Sequence, residues 1–146
     1  MPTPFESAQL NLKLFELRRE PVLREARIWF LRDFNPETFN ELMAVVSSER
    51  NASFRMVLGY WDMAASFVTG GAIDQDAFLA AHTEVVATFS KVRPFLDELR
   101  ATSDEPDFCK HLETVVMAVP GVDAVLNRRR NAWLAAAKAR KSERLP

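Results

Sequence analysis

Apolar side chains recur every three or four residues along nearly the whole chain, which is the spacing of one face of an α-helix. Near the N-terminus, Phe5, Ala8, Leu12 and Phe15 form one stripe and Leu10, Leu14 and Leu17 another, so a first helix with a broad apolar face is expected. Pro21 suits the first turn of a second helix, where its missing N–H costs nothing; that helix carries Val22, Ala26, Trp29 and Phe30. Asn35-Pro36-Glu37 reads as a helix start, with a capping side chain, a proline and then an acid in the first turn. The third helix would bury Phe39, Leu42, Met43 and Val46.

Residues 51–69 are apolar on most sides, as a central helix is: Phe54, Val57, Leu58, Trp61, Ala65 and Val68 on one face, Tyr60, Met63 and Phe67 on another. Gly70 stands where a helix C-cap favours positive φ, Gly71 lets the chain reverse, and Asp74 reads as the next N-cap. From there Phe78, His82, Val85, Phe89, Val92, Leu96 and Leu99 keep a 4-3 spacing, the stripe of a long fifth helix. Pro94 inside that run predicts a kink or break near Val92–Arg93. Pro106 would open a sixth helix with Phe108, Leu112, Val115 and Val119 as its buried edge. Pro120-Gly121 ends it, and a last helix starts near Val122 with Val125, Leu126 and Trp133 inward. The whole pattern predicts an all-α protein, one domain over 1–146, built as a bundle of about six to seven helices. Residues 51–69 and 75–101 would form its central antiparallel hairpin, and 122–143 a basic C-terminal helix.

Composition narrows the class. Hydrophobic residues at 48% and charged residues at 27% exclude disordered and fibrous chains. The single cysteine, Cys109, has no intramolecular partner for a disulfide, which points to a reducing compartment. Glu6, Lys13, Glu16 and Arg18 interrupt any secretory leader, and the longest charge-free run, Met63–Ile73, is far short of the ~20 residues of a membrane span. A cytoplasmic location without a transmembrane segment is therefore expected.

Candidate chemistry is sparse. Two histidines and one cysteine, without CxxC, HExxH or Glu-x-x-His spacing, leave no expected metal site. The phosphate-cradling and nucleophile-elbow motifs are absent too, so neither a cofactor nor a catalytic residue is assigned and an enzyme is not favoured. The central helix carries one narrow polar line, Arg55, Gly59, Asp62, Ser66 and Thr69, which reads as a solvent strip or as a polar groove. His82 occupies an apolar stripe position; it is either a satisfied core histidine or a ligand contact grouped with Arg55, Tyr60 and Asp62. Residues 121–146 hold seven Lys/Arg against Asp123 and Glu143, while the remainder is net acidic. Arg128, Arg129, Arg130, Lys138 and Arg140 are thus candidates for contact with nucleic acid or an acidic partner, or for packing on the acidic body.

Trp61, Ala65, Gly70, Gly71, Ile73-Asp74, Phe78, Pro94, Arg100, Pro106 and Leu112-Glu113 together resemble a family of uncharacterised bacterial all-helical proteins, a domain of unknown function of the four-seven-six-zero type. The resemblance spans roughly residues 40–116 and implies a helical fold; it supplies no activity and no site residues. Many members of that family look membrane-tethered, with transmembrane segments ahead of the helical domain, whereas the N-terminal helices here are amphipathic and charged. The surplus of Phe, Trp and Leu on nearly every helix favours a protein-interaction or regulatory module that self-associates or meets a protein partner. Nucleic-acid binding through the basic C-terminal helix, and a small-molecule pocket or enzyme using His82 and Asp62, are the alternatives.

Overall fold

A computed structural model describes residues 2–146, and the regular elements among them are all helical. Their starts are chemically explicit. Thr3 and Glu6 form a reciprocal capping box ahead of α1 (Pro4–Arg18), at 3.1 and 2.8 Å. The Glu20 carboxylate accepts from the Val22 and Leu23 amides to open α2 (Pro21–Arg32). The third helix, α3 (Phe39–Val46), starts three residues later than Asn35-Pro36-Glu37 suggests and is capped by Thr38. Asn35 is otherwise engaged: its side-chain oxygen accepts from Lys91 Nζ at 2.9 Å, which holds residues 33–35 outside any helix.

The apolar helix α4 (Asn51–Thr69) is central, as its composition demands; Phe54, Val57, Leu58, Trp61, Ala64 and Ala65 are all buried. At its end the left-handed residue is Gly71 (φ 82°), one position later than expected, while Gly70 is still helical (φ −81°). Gly71 N–H donates to Val68 O and Ala72 N–H to Phe67 O, the paired bonds of a Schellman cap. Asp74 then caps α5 (Gln75–Ala81) through a 3.0 Å bond from the Ala77 amide.

The long fifth helix of the sequence reading is three helices. The chain leaves α5 at His82 (φ −126°, ψ 63°), resumes as α6 (Glu84–Val92), tightens into a 3-10 turn at Arg93–Phe95 around Pro94, and ends as α7 (Leu96–Ser103). The break at Pro94 is the expected one; the break at His82 is not, and it follows from what the buried imidazole binds. Even so, Phe78, His82, Val85, Phe89, Val92, Leu96 and Leu99 are all buried, so the stripe stays inward through both breaks. Pro106 opens a turn instead of a helix, and α8 (Lys110–Met117) starts after Cys109 in the left-handed region (φ 57°). Arg100 holds that turn, donating Nε–H to Phe108 O and pairing with Glu113. The last helix, α9 (Val122–Glu143), begins where expected, after Gly121 at φ 64°.

Helix α4 packs most closely against α8 and α2, and α6 packs against α9. Toward α5 the packing is bridged by large rings, Trp61 to Phe78 at 6.4 Å and Trp61 to His82 at 5.5 Å, which hold those backbones farther apart. Trp29, Phe30, Phe34 and Phe54 form a second aromatic cluster under α2, with centroids 4.8 to 6.4 Å apart. No helix among the described residues is long and apolar enough to cross a membrane.

Lys91 on α6 is 1% exposed and has no carboxylate partner. Its Nζ lies 2.8 to 2.9 Å from Phe30 O, Leu31 O, Phe34 O and Asn35 Oδ1, closing the carbonyl end of α2. It also lies 5.1 Å from the Trp133 ring of α9. Burial draws this ammonium down to about 7, helped by Arg140 and opposed by Asp33; the four oxygen acceptors and the α2 dipole also favour the charged form. Lys91→Met would keep the apolar stem and leave those carbonyls unpaired. We expect it to lower stability by about 3 kcal/mol, read as a shifted urea midpoint at unchanged slope. A midpoint within error of the parent would show that the carbonyls find other donors.

Candidate functional site

Helix α1 is attached to the body mainly by polar bonds. Only Ser7 and Leu14 of it are buried. Ser7 Oγ accepts from the Asp74 amide at 3.3 Å, the Tyr60 hydroxyl donates to Leu14 O, and Arg27 donates to Arg18 O at 2.9 Å. At the centre of this seam His82 is fully buried between Trp61 and Phe78. Its Nε2 is 3.1 Å from Asn11 Oδ1, and its Nδ1 is 3.5 Å from an Arg18 N–H. Arg18 has only hydrogens to offer, so Nδ1 accepts and the proton sits on Nε2, donated to Asn11. Burial, followed by Arg18, pulls His82 down to about 4, with Glu84 opposing. His82 is a neutral, satisfied core histidine at ordinary pH.

Two cavities flank the seam. One of about 510 Å³ lies between α1 and α5, lined among others by Ala8, Asn11, Leu12, Phe15, Ala77 and His82. The other, about 450 Å³, lies between α1 and α2 and is lined by Phe15, Arg18, Arg19, Arg24 and Arg27. Arg27 is already engaged there: Glu84 accepts from its Nε and Nη2 at 2.6 and 2.7 Å, a bidentate pair that raises the guanidinium above its ordinary value. On the outer side of α1, Phe5, Leu12 and Phe15 are 70%, 59% and 45% exposed. Of the second stripe Leu10 and Leu14 face inward while Leu17, at its end, is exposed, and the stripe Phe5-Ala8-Leu12-Phe15 faces out.

The residues singled out by sequence are dispersed. Exposed Arg55 lines a small cavity with Phe54, Leu99 and Phe108. Asp62 accepts from the Leu112 amide at 2.9 Å, serving as the N-cap that Cys109 does not provide for α8. Tyr60 and His82 both lie against Trp61, at 5.0 and 5.5 Å, and burial raises the Tyr60 hydroxyl to about 12. On α9, Arg128, Arg129 and Lys138 are exposed. Arg130 lies 5.5 Å over Trp133, and Arg140 donates to Arg32 O on α2. Cys109 is buried, and burial pushes its thiol up to about 12, far from a reactive thiolate. Sequence reasoning missed Lys91 and the arginine cavity. The signal for the cavity is four arginines within residues 18–27; Lys91 has none, being a lone lysine between Ser90 and Val92.

A family model described as Domain of unknown function (DUF4760) matches residues 4–118, and the chain belongs to that family. The match begins at α1, well before the residues that carried the resemblance, and stops short of α9. No curated protein and no solved structure matches the chain.

The imidazole gives a pH prediction. Because its folded value lies below the ordinary 6.5, the unfolded chain takes up a proton first as pH falls. The stability contributed by neutral His82 is complete above about pH 6.5 and lost toward pH 4, about 3 kcal/mol in all. Urea melts across this range should show that loss in the parent and a flatter limb in His82→Asn. Parallel limbs would remove His82 as its source.

Proposed function

We propose that this protein is an interaction module that self-associates through the outer face of α1. The observation that carries the reading is the exposed stripe Phe5-Ala8-Leu12-Phe15, whose Phe5, Leu12 and Phe15 stay open to solvent even where Ala8, Leu12 and Phe15 edge the cavities. Its 3-4-3 spacing is symmetric about the level of Leu10. A second copy of α1 laid antiparallel on a two-fold axis at that level sets Phe5 against Phe15 of the other copy, and small Ala8 against Leu12. A patch that is its own complement under a two-fold is what an isologous dimer needs.

The two alternatives have less behind them. Nucleic-acid binding through α9 would rest on Arg128, Arg129 and Lys138, because Arg130 and Arg140 are turned to Trp133 and Arg32. A pocket using His82 and Asp62 lacks convergence, since Asp62 caps α8 while His82 sits in the α1 seam.

Light scattering after size exclusion tests the proposal. The parent should run as a dimer and Leu12→Glu as a folded monomer with the same helical circular-dichroism spectrum, since Leu12 is 59% exposed. A parent that is monomeric at every concentration, or a dimer indifferent to Leu12→Glu, would sink it.

A further inference from the structure

We propose that the cavity between α1 and α2 binds a phosphate monoester group, carried by a free small molecule or by the headgroup of an anionic lipid. Four arginines converge on it, and Glu84 neutralises one of them. Arg18, Arg19 and Arg24 have no carboxylate within 4.0 Å among the described residues. The nearby acids are committed elsewhere: Glu20 to the α2 amides and Glu16 to Lys13 at 4.0 Å. Three uncompensated guanidinium charges thus share one open space of about 450 Å³.

Arg18 makes this a formed site and not a loose basic patch. Its guanidinium lies 4.9 Å over the Phe15 ring and 5.7 Å from Trp61, and His82 Nδ1 accepts one of its hydrogens. Its Nε–H is buried out of solvent with no partner, so the two rings and the imidazole are what hold the guanidinium in place. A single carboxylate would offset one charge of the three. A phosphate monoester brings close to two negative charges and several acceptor oxygens, and the guanidinium fork meets phosphate oxygens in pairs. The lining is two half-buried arginines, an aromatic wall and two exposed arginines at the rim, open enough to admit a headgroup. Phe15 belongs to both features, but Arg19 and Arg24 lie off the α1 stripe, so Leu12→Glu tests self-association and Arg24→Gln tests this site separately.

The experiment uses the full chain. Calorimetric titration with inorganic phosphate and with glycerol 3-phosphate probes the free source. Co-sedimentation with phosphatidylcholine vesicles, with and without phosphatidic acid, probes the lipid source. Saturable binding in either arm supports the proposal and says which source applies. Arg24→Gln, at an exposed position, and Arg18→Gln should each weaken it roughly tenfold, while Arg128→Gln on α9 leaves it unchanged. Absence of binding in both arms overturns the site. So does binding that falls as much with Arg128→Gln as with Arg24→Gln, since only diffuse positive charge would then be at work.

Discussion

One ammonium group decides how the two halves of this helical protein meet. Lys91 Nζ, on α6, reaches across to the carbonyl end of α2 and is bounded by four oxygens and the Trp133 ring of α9. A helix end buried without donors is costly, and the Phe30 and Phe34 carbonyls at this one are bonded in the buried interior. The lysine therefore fixes where α2 stops, how the Phe34–Asn35 segment leaves it, and how α6 is set against both α2 and α9. The aromatic cluster of Trp29, Phe30, Phe34 and Phe54 packs around the same helix end. Apolar burial alone would tolerate some sliding of these helices. Bonds with fixed length and direction do not.

The same logic recurs at the other joints. Asp62 of α4 caps α8, Trp133 of α9 donates to Ser90 of α6 at 3.2 Å, and Arg27 of α2 clamps Glu84 at the start of α6. The first pairs an orphan amide of one helix with a side chain from another, and the other two join side chains across helices. The terminal helix α9, outside the family match, is tied to the body by Trp133 and Arg140 in this way.

These joints also explain which features could be read from the sequence. Period and burial were readable: the seven stripe residues from Phe78 to Leu99 are all buried, and Asp74 and Pro94 act locally as their chemistry dictates. Element boundaries failed wherever a distant residue overrode the local signal. Asn35 looks like a cap until Lys91, 56 residues on, claims its side chain. His82 looks like one more helical position until Asn11, 71 residues away, holds its ring. Asp62 looks like part of a solvent strip until the Leu112 amide, 50 residues on, bonds to it. The arginine cavity escaped for a related reason: Arg18, Arg19, Arg24 and Arg27 are close in sequence, but that cluster does not encode how α1 and α2 approach to enclose a space.

Why α1 should be held by hydrogen bonds rather than by a wide apolar seam follows from its two faces. Its outward stripe is as apolar as its inward one, so hydrophobicity alone would let the helix roll and bury Phe5, Leu12 and Phe15 instead of Leu10 and Leu14. Asn11 to His82, Ser7 to Asp74 and Tyr60 to Leu14 O each demand one rotation of the helix. The imidazole contributes to that choice only while neutral, because a second ring proton would confront the Arg18 guanidinium. Polar bonds buried in an apolar seam add little net stability, and they penalise every alternative orientation by leaving their partners unmet. The seam trades strength for orientation, and orientation is what keeps the apolar stripe outside and Arg18 beside the arginine-lined cavity.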